Sequence, residues 1–355
     1  MKKQLLLFLL PLFYWSCLQE APFKLPYKGF EPIDNGDGWQ LSTVEQENVN
    51  RTLLNQAFQL LYQDERFYMA RSLLIFRNNK LVAEAYPHDL DDINTPYNIQ
   101  SCTKSITSLL TGIAIQNNKI DSLGELLYNI YPSLFDNDTQ KRSITLKDAL
   151  LMQTGLEFDN GIHTQTLYET TENSTAFVLQ QPLVYNAGTV TNYNDGAPHL
   201  VSKAIETKVG KTLSAYAKEQ LFDPLGIVDW QWEAAKDETT FGAFSLFLKP
   251  RDFGKIGQLL LQNGVWNTQQ MIDHNYLAAA TSIQTSANFN SEPYGYYFWI
   301  LPAANAYLAS GHGGQFLLVA PAKNLVVVYT AFPYTNKQLW DERNELIDLI
   351  LKSCD

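Results

Sequence analysis

The chain has little with which to hold a metal or staple itself together. Its three cysteines and five histidines in 355 residues form no cluster at metal-ligand spacing and are too few for a disulfide framework. Basic residues are also scarce. Lys and Arg total 26 against 37 Asp and Glu, a formal charge of −11, which argues against nucleic acid and anionic membrane surfaces as partners. There are no low-complexity tracts or internal repeats, which excludes linker arrays and solenoids. Beyond the first residues, no apolar run approaches the ~20 residues that a bilayer span needs.

The exception is Leu5 to Trp15, behind Lys2 and Lys3 and ahead of Ser16-Cys17. It is too short to span a membrane and has the charge, apolar core and small residue of a secretory signal. A cysteine directly after the small residue reads as the lipidated N-terminus of a bacterial lipoprotein, although Tyr14 stands where an aliphatic residue is usual. A plain signal peptide or an uncleaved anchor are the alternatives. The expected organisation is a signal peptide over 1–16, a lipidated tether and lead-in over 17–40 carried by Cys17, and one domain over 41–355. Such a protein is exported, on the periplasmic side of a bacterial membrane or at the cell surface. Loss of Lys2 and Lys3 with the signal takes the charge from −11 to −13.

Along the chain, strand signals come early and late, with helix signals between. Val49, Leu53, Leu54, Ala57, Leu60 and Leu61 follow a helical period, with Ser42-Thr43-Val44-Glu45 as a capping box. Ser72–Phe76 and Leu81–Ala85 flank Arg77-Asn78-Asn79-Lys80 as a strand pair with an Asn-containing turn. Helices are expected at Ile144–Leu151, Val201–Lys211, Ser214–Phe222 and from Lys249 to about Gln262. Tyr294–Leu301, Tyr307–Ser310, Phe316–Ala320 and Leu325–Ala331 read as strands, and Leu339–Cys354 as an amphipathic helix. The expected fold is α/β of the α+β kind: an antiparallel sheet from both chain ends, flanked by helices, with a mostly helical part at about 120–240.

Three places carry chemistry. In Gln100-Ser101-Cys102-Thr103-Lys104, Ile106, Leu109, Leu110 and Ile113 give the following helix one apolar face. Ser101 and Lys104 lie one turn apart at its start, where free N–H groups and a partial positive charge favour a developing oxyanion. Thr191-Asn192-Tyr193-Asn194-Asp195-Gly196 is a Gly- and Asn-rich loop, and Ser310-Gly311-His312-Gly313-Gly314-Gln315 precedes a strand. Glycines there let a ligand approach the backbone. His163 is an exposed loop residue by the same reading. Cys102 turns into the core as a small hydrophobe.

In this order the three segments resemble the motif set of the serine β-lactamase and penicillin-binding protein superfamily. The likeness covers nearly the whole mature length. It is strongest to the class C-like esterase branch that includes 6-aminohexanoate-dimer hydrolase, through Asn98–Lys104, Leu151–Leu156, Phe222–Ile227, Pro250-Arg251-Asp252, Tyr294-Gly295-Tyr296 and Gly311–Gln315. The resemblance implies the β-lactamase/transpeptidase-like fold and an acyl-enzyme on Ser101, with Lys104 and Tyr193 sharing its proton and Tyr193 as base. It implies backbone oxyanion donors from Ser101 and Gln315, and substrate contacts from Asp195, Gly313 and Gly314. His312 takes the place of the lysine in the Lys-Thr-Gly motif of many relatives, and binds a carboxylate less strongly or relays a proton. Asp195 replaces the usual Asn and is expected to pair with Lys104, keeping it protonated. Ala187-Gly188-Thr189 replaces Pro-Gly-Thr. No metal or cofactor is implied. The partner is a small ester, amide or peptide. A β-lactamase or a D-amino-acid peptidase acting on peptidoglycan is the alternative enzyme, and a slowly deacylating sensor the alternative of another class.

Overall fold

The computed structural model of the chain describes residues 23–135, 137–169, 172–286, 292–333 and 340–355. The expected signal peptide and Cys17 lie outside these residues.

The frame is an antiparallel sheet of β1 (Ala70–Arg77), β2 (Lys80–Ala85), β3 (Thr285–Ser286), β4 (Pro293–Tyr294), β5 (Trp299–Leu301), β6 (Ala306–Ser310), β7 (Phe316–Ala320) and β8 (Leu325–Ala331). Among the described residues its order is β2-β1-β8-β7-β6-β5-β4-β3. The two chain ends therefore meet inside one sheet, with Leu74 opposite Val328 and Phe76 opposite Val326. Leu73–Phe76 and all of β8 are buried, which explains why both strands read as continuous apolar runs rather than alternating ones. Asn78 and Asn79 join β1 to β2 with φ of 51° and 69°, the left-handed pair that a two-residue hairpin requires and that Asn tolerates. Residues 23–41 run along the outer edge of β2, where Glu84 N–H donates to the Phe30 carbonyl at 2.8 Å, so the edge is covered.

The helix Pro250–Leu261 lies across β1, β7 and β8. It sits close because Gly254 and Gly257 face the sheet: a methyl on either would come within 2.4 Å of Phe76 or Val326. Helices Arg51–Gln63 and Trp340–Ser353 pack on each other. Between β2 and β3 the chain is mostly helical, and Gly196–Val209 packs on the Ser101 helix, Cys102–Gln116.

Three expectations need correction. The first helix starts at Arg51, capped by the Asn50 side chain, which accepts from Leu53 N–H at 3.1 Å; residues 44–48 form a turn that leaves Asn48 at φ 55°. Tyr294–Leu301 splits into β4 and β5, because Gly295 presses against the Ala280 carbonyl, 2.0 Å from where a Cβ would sit, and Tyr297 turns left-handed at φ 65°. The Ser101 helix is buried all round from Cys102 to Ala114 rather than on one face. Its hydroxyls are satisfied inside the protein: Thr107 donates to the Gly242 carbonyl at 2.8 Å and Ser105 to the Tyr297 carbonyl at 2.6 Å. A polar face so paired can be buried without an unmet donor.

Candidate active site

Ser101 sits where a short strand, Tyr97–Asn98, turns abruptly into the buried helix. The turn is made at Gln100, whose φ of 54° is costly for a residue with a Cβ. Cys102, Thr103 and Lys104 N–H groups bond back to Ile99, Gln100 and Ser101 carbonyls. Among the described residues the Ser101 N–H has no acceptor. It remains available at the positive end of the helix.

Lys104 is 1% exposed, and its ammonium is surrounded by oxygen. Nζ donates to Asp195 Oδ1 at 2.6 Å, to Ser101 Oγ at 3.0 Å and to the Ala243 carbonyl at 3.2 Å. The Tyr193 ring lies beside the same amine, with Nζ 4.9 Å from the ring centroid. Burial pulls the Lys104 pKa down, but the Asp195 carboxylate, backed by Tyr193, outweighs it and leaves the amine above its ordinary range. Lys104 is therefore an ammonium, and the expected pairing with Asp195 is present. Its three N–H groups are matched by three acceptors, Asp195, Ala243 and Ser101 Oγ.

Asp195 does more than was expected of a substrate contact. Its second oxygen accepts from Thr164 Oγ1 at 2.7 Å, and its backbone N–H donates to Asn160 Oδ1 at 2.9 Å. Both carboxylate oxygens are thus engaged within the protein. The Tyr193 ring is fixed by Trp299 and Tyr294, at centroid distances of 5.7 and 6.3 Å.

These groups line a cavity of about 580 Å³. It is lined by Asn98, Gln100 and Ser101 at the helix start, by Asn160, Thr164, Gln165 and Tyr168 of the helix Asn160–Glu169, by Phe244, Ser245 and Trp299, and by Ser310, Gly311 and His312 at the strand edge. Ser101, Lys104, Tyr193, Asp195 and His312 are thus brought together, Lys104 from just behind the surface. Gln315, Gly313 and Gly314 are not. The Gln315 side-chain amide donates to the Ala331 carbonyl at 2.6 Å, a contact that does not involve the backbone N–H expected as a donor, and Gly313 faces Phe332 and Pro333.

The cause is register. The glycine that touches the helix start is Gly311, where a Cβ would lie 2.6 Å from the Ile99 carbonyl oxygen and 3.2 Å from Ser101 N. Gly311 N–H donates to the Gln315 carbonyl at 2.8 Å, and Gly311 is extended, with φ −137° and ψ 158°. Successive N–H groups of extended backbone point to opposite sides, so the His312 N–H faces away from β7. It is thereby a candidate strand-edge donor beside the expected Gln315 N–H. If Gly311 is taken as the glycine of a Lys-Thr-Gly motif, the lysine position two residues earlier falls on buried Ala309 and not on His312. The His312 ring is exposed at the cavity mouth.

Asn160, Thr164, Tyr168, Phe244, Trp299 and Ser310 were missed from sequence. The helix Asn160–Glu169 has no apolar period, with Leu167 its buried residue, and the only signal in it was Asn160, Thr164 and Tyr168 at i, i+4 and i+8. His163 lies on that helix but off the cavity, its Nδ1 accepting from Asp159 N–H at 2.8 Å. Cys102 is fully buried, and burial pushes its thiol pKa well up, as an inert core residue requires. Among the described residues, no group of His, Cys, Asp and Glu is placed to hold a metal.

Comparison with known proteins gives a consistent picture. A family described as Beta-lactamase matches residues 68–353. A lovastatin esterase from Penicillium rubens is 27% identical over 206 residues, 52% of this chain and 50% of the esterase. The match thus spans half the length of that relative. Among solved structures, one described as a 6-aminohexanoate-dimer hydrolase from Bacillus anthracis has a TM-score of 0.74 at 19% identity, covering 94% of this chain and 91% of its own. A family VIII carboxylesterase gives 0.70 at 15% identity, covering 88% and 98%. At those identities the two structures speak for the fold.

Proposed function

Because the chain belongs to the β-lactamase family, whose members are serine hydrolases, we propose that it is an exported enzyme cleaving a neutral ester or small amide through an acyl-enzyme on Ser101. The observation that carries this reading is the Lys104 ammonium, 3.0 Å from Ser101 Oγ and paired with Asp195 at 2.6 Å. Such an ammonium orients the serine oxygen and steadies charge, but it has no lone pair with which to take a proton. Tyr193 is then the relay. As Ser101 Oγ attacks the carbonyl carbon, Tyr193 takes the serine proton and passes its own to the departing oxygen or nitrogen. The oxyanion is held by the N–H groups of Ser101 and His312, and water deacylates by the reverse path.

The preference for a neutral substrate rests on the cavity wall. Among the described residues none that lines it is a lysine or arginine, and the Arg343 guanidinium behind it is buried and donates to Ser310 Oγ at 2.8 Å. β-Lactams and peptidoglycan peptides, by contrast, carry a free carboxylate that calls for an open cation. Tyr168, Phe244 and Trp299 instead offer apolar surface to an acyl chain. Intact mass after a fluorophosphonate probe tests the nucleophile: the wild type gains one adduct and Ser101→Ala none. An unlabelled wild type would overturn the covalent reading. Turnover of p-nitrophenyl esters against nitrocefin tests the class, and fast nitrocefin hydrolysis without ester hydrolysis would reverse the order. The leader Met1–Ser16 followed by Cys17 supports export and lipid anchoring. Labelled palmitate entering the wild type but not Cys17→Ser is the expected result, and equal labelling would remove the anchor.

A further inference from the structure

The helix Asn160–Glu169 forms one wall of the cavity, with Asn160, Thr164 and Tyr168 stacked along one face. Two of these residues also hold Asp195. Thr164 Oγ1 donates to Asp195 Oδ2 at 2.7 Å, and Asn160 Oδ1 accepts the Asp195 N–H at 2.9 Å. The other oxygen, Oδ1, holds Lys104 Nζ. We propose that Thr164 is a positioning residue for acylation: it fixes the plane of the Asp195 carboxylate, and through it the placing of the Lys104 ammonium against Ser101 Oγ.

The physical need is a torsional one. The last side-chain torsion of an aspartate is broad and two-fold, so one strong contact on Oδ1 does not fix the plane. A second contact on Oδ2, from a different element, does. Without it the carboxylate can turn, and the ammonium, held at 2.6 Å by its strongest partner, follows and lengthens the 3.0 Å contact to Ser101. The wall that meets the substrate is thus the wall that holds the pair behind the nucleophile. This inference rests on the acyl-enzyme reading above.

The test is the second-order rate of labelling by a fluorophosphonate, which needs no knowledge of the natural substrate. Thr164→Val keeps the shape and removes the donor; the labelling rate is expected to fall about tenfold, and Thr164→Ser to restore it. If Thr164→Val does not fold, Thr164→Ala at this half-buried site serves instead. A purely structural role is separated by the cycle with Asp195→Asn: once Asp195 is replaced, losing the Thr164 hydroxyl should change the rate less than twofold. An unchanged rate in Thr164→Val, failure of Thr164→Ser to restore it, or the same tenfold loss in the Asp195→Asn background would each overturn the proposal. Absence of labelling in the wild type would instead sink the acyl-enzyme reading itself.

Discussion

Replacing Asp195 by Asn keeps the size of the side chain and removes the charge that holds Lys104 as an ammonium. Lys104 is 1% exposed, so after the change its buried charge has no counter-ion, and burial, which already opposes the charged form, goes unanswered. The amine then has two courses. It can stay charged, at the ~3–5 kcal/mol typical of breaking a buried pair. Or it can lose a proton, which at pH 7 costs about 5 kcal/mol for a group whose unfolded pKa is about 10.4. The two figures are close, so a loss of ~3–5 kcal/mol is expected at pH 7.

The second course has a signature in pH. A neutral folded Lys104 means that the unfolded chain binds the extra proton, so stability of the variant rises with pH, and the deprotonation cost shrinks to about 2 kcal/mol at pH 9. The wild type has the opposite sign: its Lys104 is raised, and the resulting stability is present below the unfolded value and lost only at strongly alkaline pH. Geometry also allows a neutral amine a new role. It can donate to residue 195 and to Ala243 while its lone pair accepts from Ser101 Oγ, 3.0 Å away. Activity in Asp195→Asn should then rise with pH along a limb that the wild type lacks. Urea titrations at pH 7 and pH 9, with kcat/KM for a p-nitrophenyl ester from pH 6 to 10, measure both effects. A stability loss under about 1 kcal/mol, or one that is the same at both pH values with an unaltered rate profile, would refute the ammonium argument.

Gly311→Ala should forbid the close approach of the strand edge to Ile99 and Ser101; the expected cost is ~1–3 kcal/mol in urea melts and about a hundredfold in kcat through a displaced oxyanion donor. Arg251 holds Glu84 through two hydrogen bonds of 3.0 and 2.5 Å, both side chains nearly fully buried, so Glu84→Ala should lose ~3–5 kcal/mol in the same melts. His199 is fully buried with its pKa pulled by burial to about 4. Its folded value lies below the unfolded one, so stability should fall by about 3 kcal/mol as pH drops from about 6.5 to about 4. A His199→Gln variant with the same slope in pH-dependent melts would show that another group is responsible.

The frame of the sheet was legible because it depends on local signals: the β-rich runs of both chain ends, and the Asn78-Asn79 turn between two of them. Ser101 and Lys104 were legible for the same reason, since one helical turn fixes their relation. Thr164 was not. Its helix buries only Leu167, and what the threonine does arises from meeting Asp195, 31 positions away, in the folded chain. No period in the sequence encodes that meeting.

The Gly-rich segment shows a different limit. Gly311-His312-Gly313-Gly314 offers three glycines that could make the close approach, and each choice sets a different register for the whole edge. Local sequence cannot choose, because the deciding contact is with the Ile99 carbonyl and Ser101 N. Once Gly311 makes it, two consequences follow together. The His312 N–H becomes a candidate oxyanion donor beside that of Gln315, and a Lys-Thr-Gly motif ending at Gly311 would have its lysine position at Ala309, fully buried in β6. A methyl group there leaves that place in the motif without a fixed positive charge, and no lysine or arginine lines the cavity among the described residues. The cations nearest the cavity among the described residues are already engaged, Lys104 with Asp195 at 2.6 Å and Arg343 with Ser310 Oγ at 2.8 Å. A substrate carboxylate would then leave water for partners it must share, a cost that a neutral ester does not meet. The choice of one glycine over its neighbours thus bears on the substrate as directly as on the backbone.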